Sequence, residues 1–385
     1  MRVAIFGSEK TIFVHSYIRL LLNDGIEVKH FNNSEKKSEF PDSINYKYDK
    51  GVSSKTIELV KKLIKRLIKR LRLDRTNVYL NLIEKKEIES ELSKDEKYKI
   101  QNELTRFEPN VILFFWGTTL RKELAHINTL NLCSKKILLV NTYPIRTRFE
   151  SWSDNPFLVQ DKDYFSSFDK IIFPSEYLYN VFYDSGFLNG MSFINPDFIL
   201  SDHVCKFREE KENIENESAN KKIIFLGNTN FSERSIDDVS EIIIELASKG
   251  VNVFVQKSDY TNEKLSAIDN IFTFPPFSFE EILSGKLLDY INDFDGVLFS
   301  YNDVCSIRYN GSITTRLLLA EGAQVPVYIF GDEPKYISEM RINGDFKVVK
   351  DSNSLIHCLN NHEYDNKGEL YVERANKFLK ILKDK

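Results

Sequence analysis

Residues 1–31 contain the pattern that most restricts what this chain can fold into. Arg2–Phe6 is a continuous apolar run that reads as a buried strand ending at Gly7-Ser8. Ile12, Tyr17, Leu20 and Leu21 then recur at helical spacing around Phe13–Leu22, and Asp24-Gly25 closes that segment. Ile26–Phe31 reads as a second strand. Strand, helix and strand in so short a span make a βαβ unit, and its two strands must lie parallel.

The same order restarts at Ile223–Leu226, a strand ending at Gly227, followed by a helix over Ile236–Lys249 and a strand over Val251–Gln256. Between the two starts, strands are expected at Val111–Trp116, Ile137–Val140 and Lys170–Phe173, with Phe193-Ile194 leading into Asn195-Pro196. Residues 32–54 are polar and irregular, Ile83 to Phe107 reads as one helical segment of mixed charge, and Ser175–Tyr183 as another helix. After the restart, Ile271–Phe274, Gly296–Ser300, Val327–Phe330 and Phe346–Val349 read as strands and Leu370–Leu382 as a helix. The most polar stretch, 206–222, separates the two series. A length of 385 residues is more than one typical core needs. The expectation is an α/β protein of two doubly wound, Rossmann-like domains facing a cleft. The first domain spans 1–200, a polar connection 201–222, the second domain 223–365, and a C-terminal helix, 366–385, crosses back toward the first domain in this reading.

Charge and cysteine usage narrow the function. A formal net charge of −4 gives no reason to expect a nucleic-acid partner. Cys133, Cys205, Cys305 and Cys358 are scattered, with no CxxC pair, so neither a zinc site nor a disulfide framework is expected and a reducing cytoplasm fits. Gly7 stands alone and makes no dinucleotide fingerprint. The N-terminus runs straight into the strand pattern and does not read as a signal peptide, and no window is long and apolar enough to span a bilayer. One segment invites a membrane surface. In 55–75, Ile57, Val60, Ile64, Leu67 and Leu71 form an apolar stripe flanked by Lys61, Lys62, Lys65, Arg66, Lys69, Arg70 and Arg72. Such a basic amphipathic helix suits an anionic lipid surface, and equally a solvated face packed on its own domain.

Two loops of the second half carry the chemistry of an anion site. Gly227-Asn228 follows a strand and leads to Arg234 near a helix start. The loop Tyr301–Gly311 leads through Ser312 and Thr315 to Arg316, in the first turn of the next helix. Unpaired N–H groups at helix starts, glycines that admit close approach, and arginine forks together suit a diphosphate. Phe274-Pro-Pro-Phe277 could frame a flat base, or be a rigid surface turn.

The chain resembles the GT-B fold glycosyltransferases over nearly its whole length. Met1–Phe31 looks like the opening unit of their acceptor domain, and Phe168-Asp-Lys-Ile-Ile-Phe-Pro-Ser-Glu through Asn195-Pro-Asp197 like its last unit and exit. Ile223-Ile-Phe-Leu-Gly-Asn228 through Arg234, and Thr315-Arg-Leu-Leu-Leu-Ala320 through Val325-Pro-Val327, are similar to segments of the spore-maturation-type members. The resemblance implies a hexosyl transfer from a nucleotide-sugar donor, held by the second domain, to a surface-polysaccharide, lipid-linked or other glycoconjugate acceptor on the first. It implies a bacterial cytoplasmic enzyme, which the basic segment 55–75, read on its own pattern, would bring to the inner membrane face. By position, Gly227, Asn228, Arg234 and Arg316 would contact the donor diphosphate, and Phe277, Gly311, Ser312 and Thr315, read from the loops themselves, complete the donor-binding set. Gly7, Ser8, Trp116 and Tyr143 would lie on the acceptor side. No DxD-like pair stands at a strand end, so neither metal nor cofactor is expected, and arginines with helix starts would neutralise the leaving diphosphate. An inverting reaction would need a general base, for which His15, Glu150 and Asp154 are the candidates. Leu319 stands where many members carry a ribose-binding glutamate, with Glu321 on another helix face. Two other readings share the scaffold: an inactive sugar-nucleotide sensor or scaffold protein, and a nucleotide-sugar epimerase.

Overall fold

A computed structural model describes residues 1–9, 11–34, 38, 40, 43–46, 75–89, 91–145, 149–188, 190–199, 221–227, 239–257, 265, 267–301, 306–337, 340, 346–361 and 370–384. The chain divides into two units, Met1–Ile194 with Ser306–Arg308, and Asn195–Cys305 with Tyr309–Lys385.

The first unit is built on β1 (Arg2–Phe6), β2 (Glu27–Asn32), β3 (Ile44–Asn45), β4 (Val111–Phe115), β5 (Lys135–Leu139), β6 (Lys170–Phe173) and β7 (Met191–Ile194). They form one parallel sheet in the order β3-β2-β1-β4-β5-β6-β7. Its central strands are apolar along their length because helices cover both faces. Val3 to Phe6 and Ile112 to Phe115 are at most 1% exposed. Aromatic rings fill the core: Phe6 stacks on Phe31 at 4.4 Å and on Phe114 at 5.5 Å, and Tyr17 meets Phe115 edge-on at 5.1 Å.

The second unit repeats the plan with β8 (Lys222–Phe225), β9 (Asn252–Gln256), β10 (Ile271–Phe274), β11 (Gly296–Tyr301), β12 (Val327–Gly331) and β13 (Phe346–Val349). These are also parallel, in the order β10-β9-β8-β11-β12-β13. In both sheets the strand that opens the unit lies inside, and the chain winds first to one side and then to the other. The reversal falls between β1 and β4 in one sheet and between β8 and β11 in the other. Loops at the carboxyl ends of those strands form the crevice where open parallel sheets take ligands.

The elements depart from the sequence reading in a few places. Ile83 to Phe107 is two helices, Arg75–Glu89 and Lys94–Phe107. Ser93 is extended and its side chain accepts the Glu96 N–H at 3.3 Å, while Asp95 and Glu96 favour the positive end of the new helix. Apolar spacing continues across that cap, so periodicity alone does not show the break. The polar stretch 32–54 contains the short edge strand β3. Lys222, placed in the connection, is the first residue of β8. Helices Arg121–Ile127, Leu158–Phe165, Phe279–Leu283, Lys286–Asn292 and Ser352–Asn360 have no counterpart in the sequence reading, and the loop read over Tyr301–Gly311 begins in β11 and ends in the helix Ile307–Gly311. Most of the basic segment 55–75 lies outside the described residues, as do 201–220 and 228–238; Arg75 opens the helix Arg75–Glu89.

Candidate functional site

At the reversal point of the first sheet, β1 turns sharply into the helix Ile12–Asn23. A Cβ on Gly7 would stand 2.9 Å from Val14 Cγ2 and 3.2 Å from Phe115 Cβ, so only glycine lets strand and helix come this close. The Ser8 carbonyl accepts both the N–H and the hydroxyl of Thr11, at 3.1 and 2.9 Å, and Thr11 caps the helix. His30 supports the turn from β2. Its Nε2–H donates to the Gly7 carbonyl at 3.0 Å, so Nδ1 accepts from the Ser43 hydroxyl at 3.0 Å, which in turn accepts from Ser38 at 2.7 Å. Burial lowers the His30 pKa, against the pull of the Gly7 carbonyl and Glu9, and this neutral tautomer satisfies both partners.

The exit of β4 is strained: Trp116 has a φ of 72°, in the left-handed region that bulky residues avoid at a cost of about 1–3 kcal/mol. Asn141, at the exit of β5, has a φ of 47°, which asparagine tolerates. They are tied together, because the Trp116 N–H reaches both the Leu139 carbonyl at 3.1 Å and Asn141 Oδ1 at 3.3 Å. Gly7, Ser8 and Trp116 therefore gather at one edge of the sheet. Tyr143 shares that edge by its backbone only. Its ring is 1% exposed, and its hydroxyl donates to Asp161 Oδ2 at 2.5 Å and accepts from Asn155 Nδ2 at 3.0 Å. Burial first, and Asp161 second, push its pKa well up, so it stays protonated. His15 lies one turn into its helix, 6% exposed, with its ring 4.8 Å from that of Phe40. Glu150 and Asp154 are exposed, and Asp154 accepts from the Ser151 hydroxyl at 2.7 Å. Of the three base candidates, one is thus buried and two are at the surface.

The same edge holds a cavity of about 180 Å³. The segments after β2, β4 and β5 reach it through Asn33, Thr118, Thr119 and Ile145. Glu84, Glu87 and Ile88 come from the helix Arg75–Glu89, and Arg121 and Lys122 from the start of the next helix after β4. Arg121 is fixed in place. It donates to the Gln160 carbonyl at 2.9 Å, pairs with Asp161, and lies 5.1 Å over the Tyr164 ring. Asp161, 2% exposed, also accepts from Tyr143 and from Asn155 Nδ2 at 2.8 Å. None of these cavity residues stood out in the sequence; the signal was that the loops after Phe115 and Val140 follow parallel strands.

In the second sheet Gly227 follows β8 and is buried, and a Cβ there would clash with Phe225 Cζ. Asn228 and Arg234 lie outside the described residues. After β11, Gly311 and Ser312 are buried and lead to Thr314, whose side chain caps the helix Thr315–Gly322 by accepting the Arg316 N–H at 3.2 Å. Thr315 and Arg316 are half-buried in its first turn, and the Arg316 guanidinium sits 5.5 Å over the Phe299 ring of β11. Gly227 and the segment from Gly311 to Arg316 thus follow the two strands flanking the reversal point, whereas Phe277 follows the edge strand β10. Phe277 is half-buried, its ring 5.3 Å from that of Tyr290.

Leu319 is buried at 6% exposure. Glu321, two residues on, is bound bidentate by Arg374 of the helix Leu370–Lys383, at 2.7 and 2.8 Å. Arg374 also donates to the Asp197 carbonyl at 3.2 Å. Burial raises the Glu321 pKa and Arg374 opposes the rise. Among the described residues no cluster of His, Cys, Asp and Glu has the makings of a metal site, and no helix is long and apolar enough to cross a membrane.

No known family model matches the chain. No curated protein matches it by sequence. Solved structures match over almost its entire length. Sucrose-phosphate synthase from Thermosynechococcus elongatus aligns over 98% of this chain and 94% of its own, at 10% identity and a TM-score of 0.58. A trehalose-6-phosphate synthase aligns over 99% and 95%, at 10% identity and 0.57. A putative UDP-N-acetylglucosamine 2-epimerase from Listeria monocytogenes aligns over 99% and 95%, at 13% identity and 0.58. Two doubly wound parallel sheets in one chain, matched nearly end to end by glycosyltransferase structures, give this protein the GT-B fold.

Proposed function

We propose that the protein is a glycosyltransferase that moves a sugar from a nucleotide-sugar donor to a surface-polysaccharide or other glycoconjugate acceptor without a metal. The observation that supports this most is the capped helix start bearing Arg316, immediately after β11 at the reversal point of the second sheet. Helix N–H groups and a half-buried guanidinium suit a diphosphate leaving group, whose growing charge they would stabilise. Gly227, Asn228, Arg234, Gly311, Ser312 and Thr315 complete the donor side in this proposal, with Phe277 toward the base. Gly7, Ser8, Trp116 and the backbone at Tyr143 form the acceptor side, and His15, Glu150 or Asp154 is the base if the reaction inverts. The finer likeness to the spore-maturation-type enzymes rests on the sequence motifs around Gly227 and Arg316.

A donor panel tests the proposal. With UDP-, GDP- and CMP-sugars, one nucleotide class should raise the melting temperature and be slowly hydrolysed to free nucleotide. Binding without turnover would favour the sensor, for which the buried apolar Leu319 speaks. Epimerisation without nucleotide release would favour the epimerase reading, which the Listeria structure prompts. No binding by any class would overturn all three.

Cytoplasmic placement and contact with the inner membrane face, through 55–75, belong to the same proposal. Neutralising Lys61, Lys65, Lys69 and Arg70 should reduce co-sedimentation with anionic vesicles at low salt. Equal sedimentation of the variant would remove the membrane component.

A further inference from the structure

The cavity at the carboxyl edge of the first sheet has a lining that specifies a ligand class. We propose that it is a subsite for one uncharged, hydroxyl-rich ring, a single neutral saccharide unit, selected by Glu84, Glu87 and Arg121. This rests on the glycosyl-transfer reading and names the acceptor chemistry that reading leaves open.

Size is the first argument. About 180 Å³ is well short of the roughly 300–1,000 Å³ of sites for drug-sized ligands, and suits a single ring. The second is the mixture of donors and acceptors. Glu84 and Glu87 are three residues apart and so neighbours on one helix face, and both line the cavity. Ionised carboxylates only accept, and a guanidinium only donates. Thr119 gives its hydroxyl proton to the Trp116 carbonyl at 3.0 Å, leaving lone pairs for a ligand. A sugar hydroxyl is donor and acceptor at once, so a wall offering both kinds of group serves a run of hydroxyls. Ile88 and Ile145 supply apolar surface for ring C–H groups.

Charge is the third argument. Among the described lining residues Glu84 and Glu87 offset Arg121 and Lys122, and Asp161 pairs with Arg121 from behind, so two carboxylates face the cavity. A phosphate or carboxylate on the ligand would meet repulsion there, which is discrimination by an unfavourable contact. The fourth argument is preorganisation. Asp161 holds Arg121, and Tyr143 and Asn155 hold Asp161. The fork is therefore set before any ligand arrives, and little rotamer freedom remains to be lost on binding.

Saturation-transfer NMR on the full chain tests this with methyl glycosides of glucose, galactose and N-acetylglucosamine, and with glucose 6-phosphate as the charged probe. At least one neutral glycoside should receive saturation. Glu87→Gln should weaken it about tenfold, the usual size for one charge-assisted hydrogen bond. Thr119→Val, an isosteric change that removes those lone pairs, should weaken it as well. Saturation of no neutral glycoside, stronger binding of glucose 6-phosphate, or affinity within twofold of wild type in both variants would each overturn the proposal. A chain that binds glycosides through Glu87 but melts unchanged with every nucleotide sugar would refute the transferase reading and keep the subsite.

Discussion

Arg374→Met is expected to lower the stability of the second unit by about 3–5 kcal/mol, the usual loss when one partner of a buried ion pair is removed. The site explains so large an effect. Glu321 lies in the last turn of the helix Thr315–Gly322, where the helix dipole disfavours a carboxylate, and its side chain is only 11% exposed. Two short hydrogen bonds from one guanidinium hold it there. Without them burial alone acts on Glu321 and raises its pKa further above the unfolded value. The variant's deficit should therefore be complete above that raised pKa and shrink as pH falls toward and below about 4.5, where the acid is neutral in both states. Replacing both partners by methionine should recover most of the loss, since a buried pair seldom outperforms apolar packing. Urea unfolding of wild type, single and double variants at neutral and acid pH measures all of this. An unchanged midpoint for Arg374→Met would show that the pair contributes little.

Arg316→Ala should reduce donor turnover about 10²–10³-fold, the size seen when one preorganised group facing a developing negative charge is deleted. Stability should fall far less. Arg316 is half-buried, and its described contact is with the Phe299 ring, worth roughly 0.5–2 kcal/mol. Arg316→Lys should fall between, keeping the charge but losing the planar fork. Steady-state rates with the donor found in the panel, alongside melting curves, separate the two effects. Wild-type turnover in a folded Arg316→Ala protein would refute the diphosphate role.

Much of the fold was legible because parallel strands buried on both faces are plain apolar runs. Arg2–Phe6, Lys170–Phe173, Ile271–Phe274 and Phe346–Val349 have the bounds their composition suggests. The break at Ser93 was hidden because apolar spacing runs across it. β3 was hidden because Ile44-Asn45 is a two-residue edge pair in a polar stretch. The loops at the reversal points were legible for a topological reason: the carboxyl ends of parallel strands share one edge, so Gly7, Trp116, Gly227 and Arg316 could be named from order alone. Glu84, Glu87 and Arg121 could not, since separate helices bring them to the cavity. Arg374 and Glu321 stand 53 residues apart with no local pattern joining them. Arg234 lies outside the described residues, so its pairing with Arg316 on one diphosphate belongs to the proposal.

The shared strand order has a bearing on how much of the polypeptide each ligand edge requires. The seam between β1 and β4 is the longest-range pairing in its sheet, with the Arg2 N–H reaching Asn110 Oδ1 across 108 residues. The seam between β8 and β11 is likewise the longest in its own, with Lys222 bonded to Asp295 across 73. A fragment cut before β4, or one begun at β8 and stopped before β11, keeps a complete βαβ unit yet has only one bank of its crevice. Neither crevice has both banks until its unit has been translated past its fourth strand.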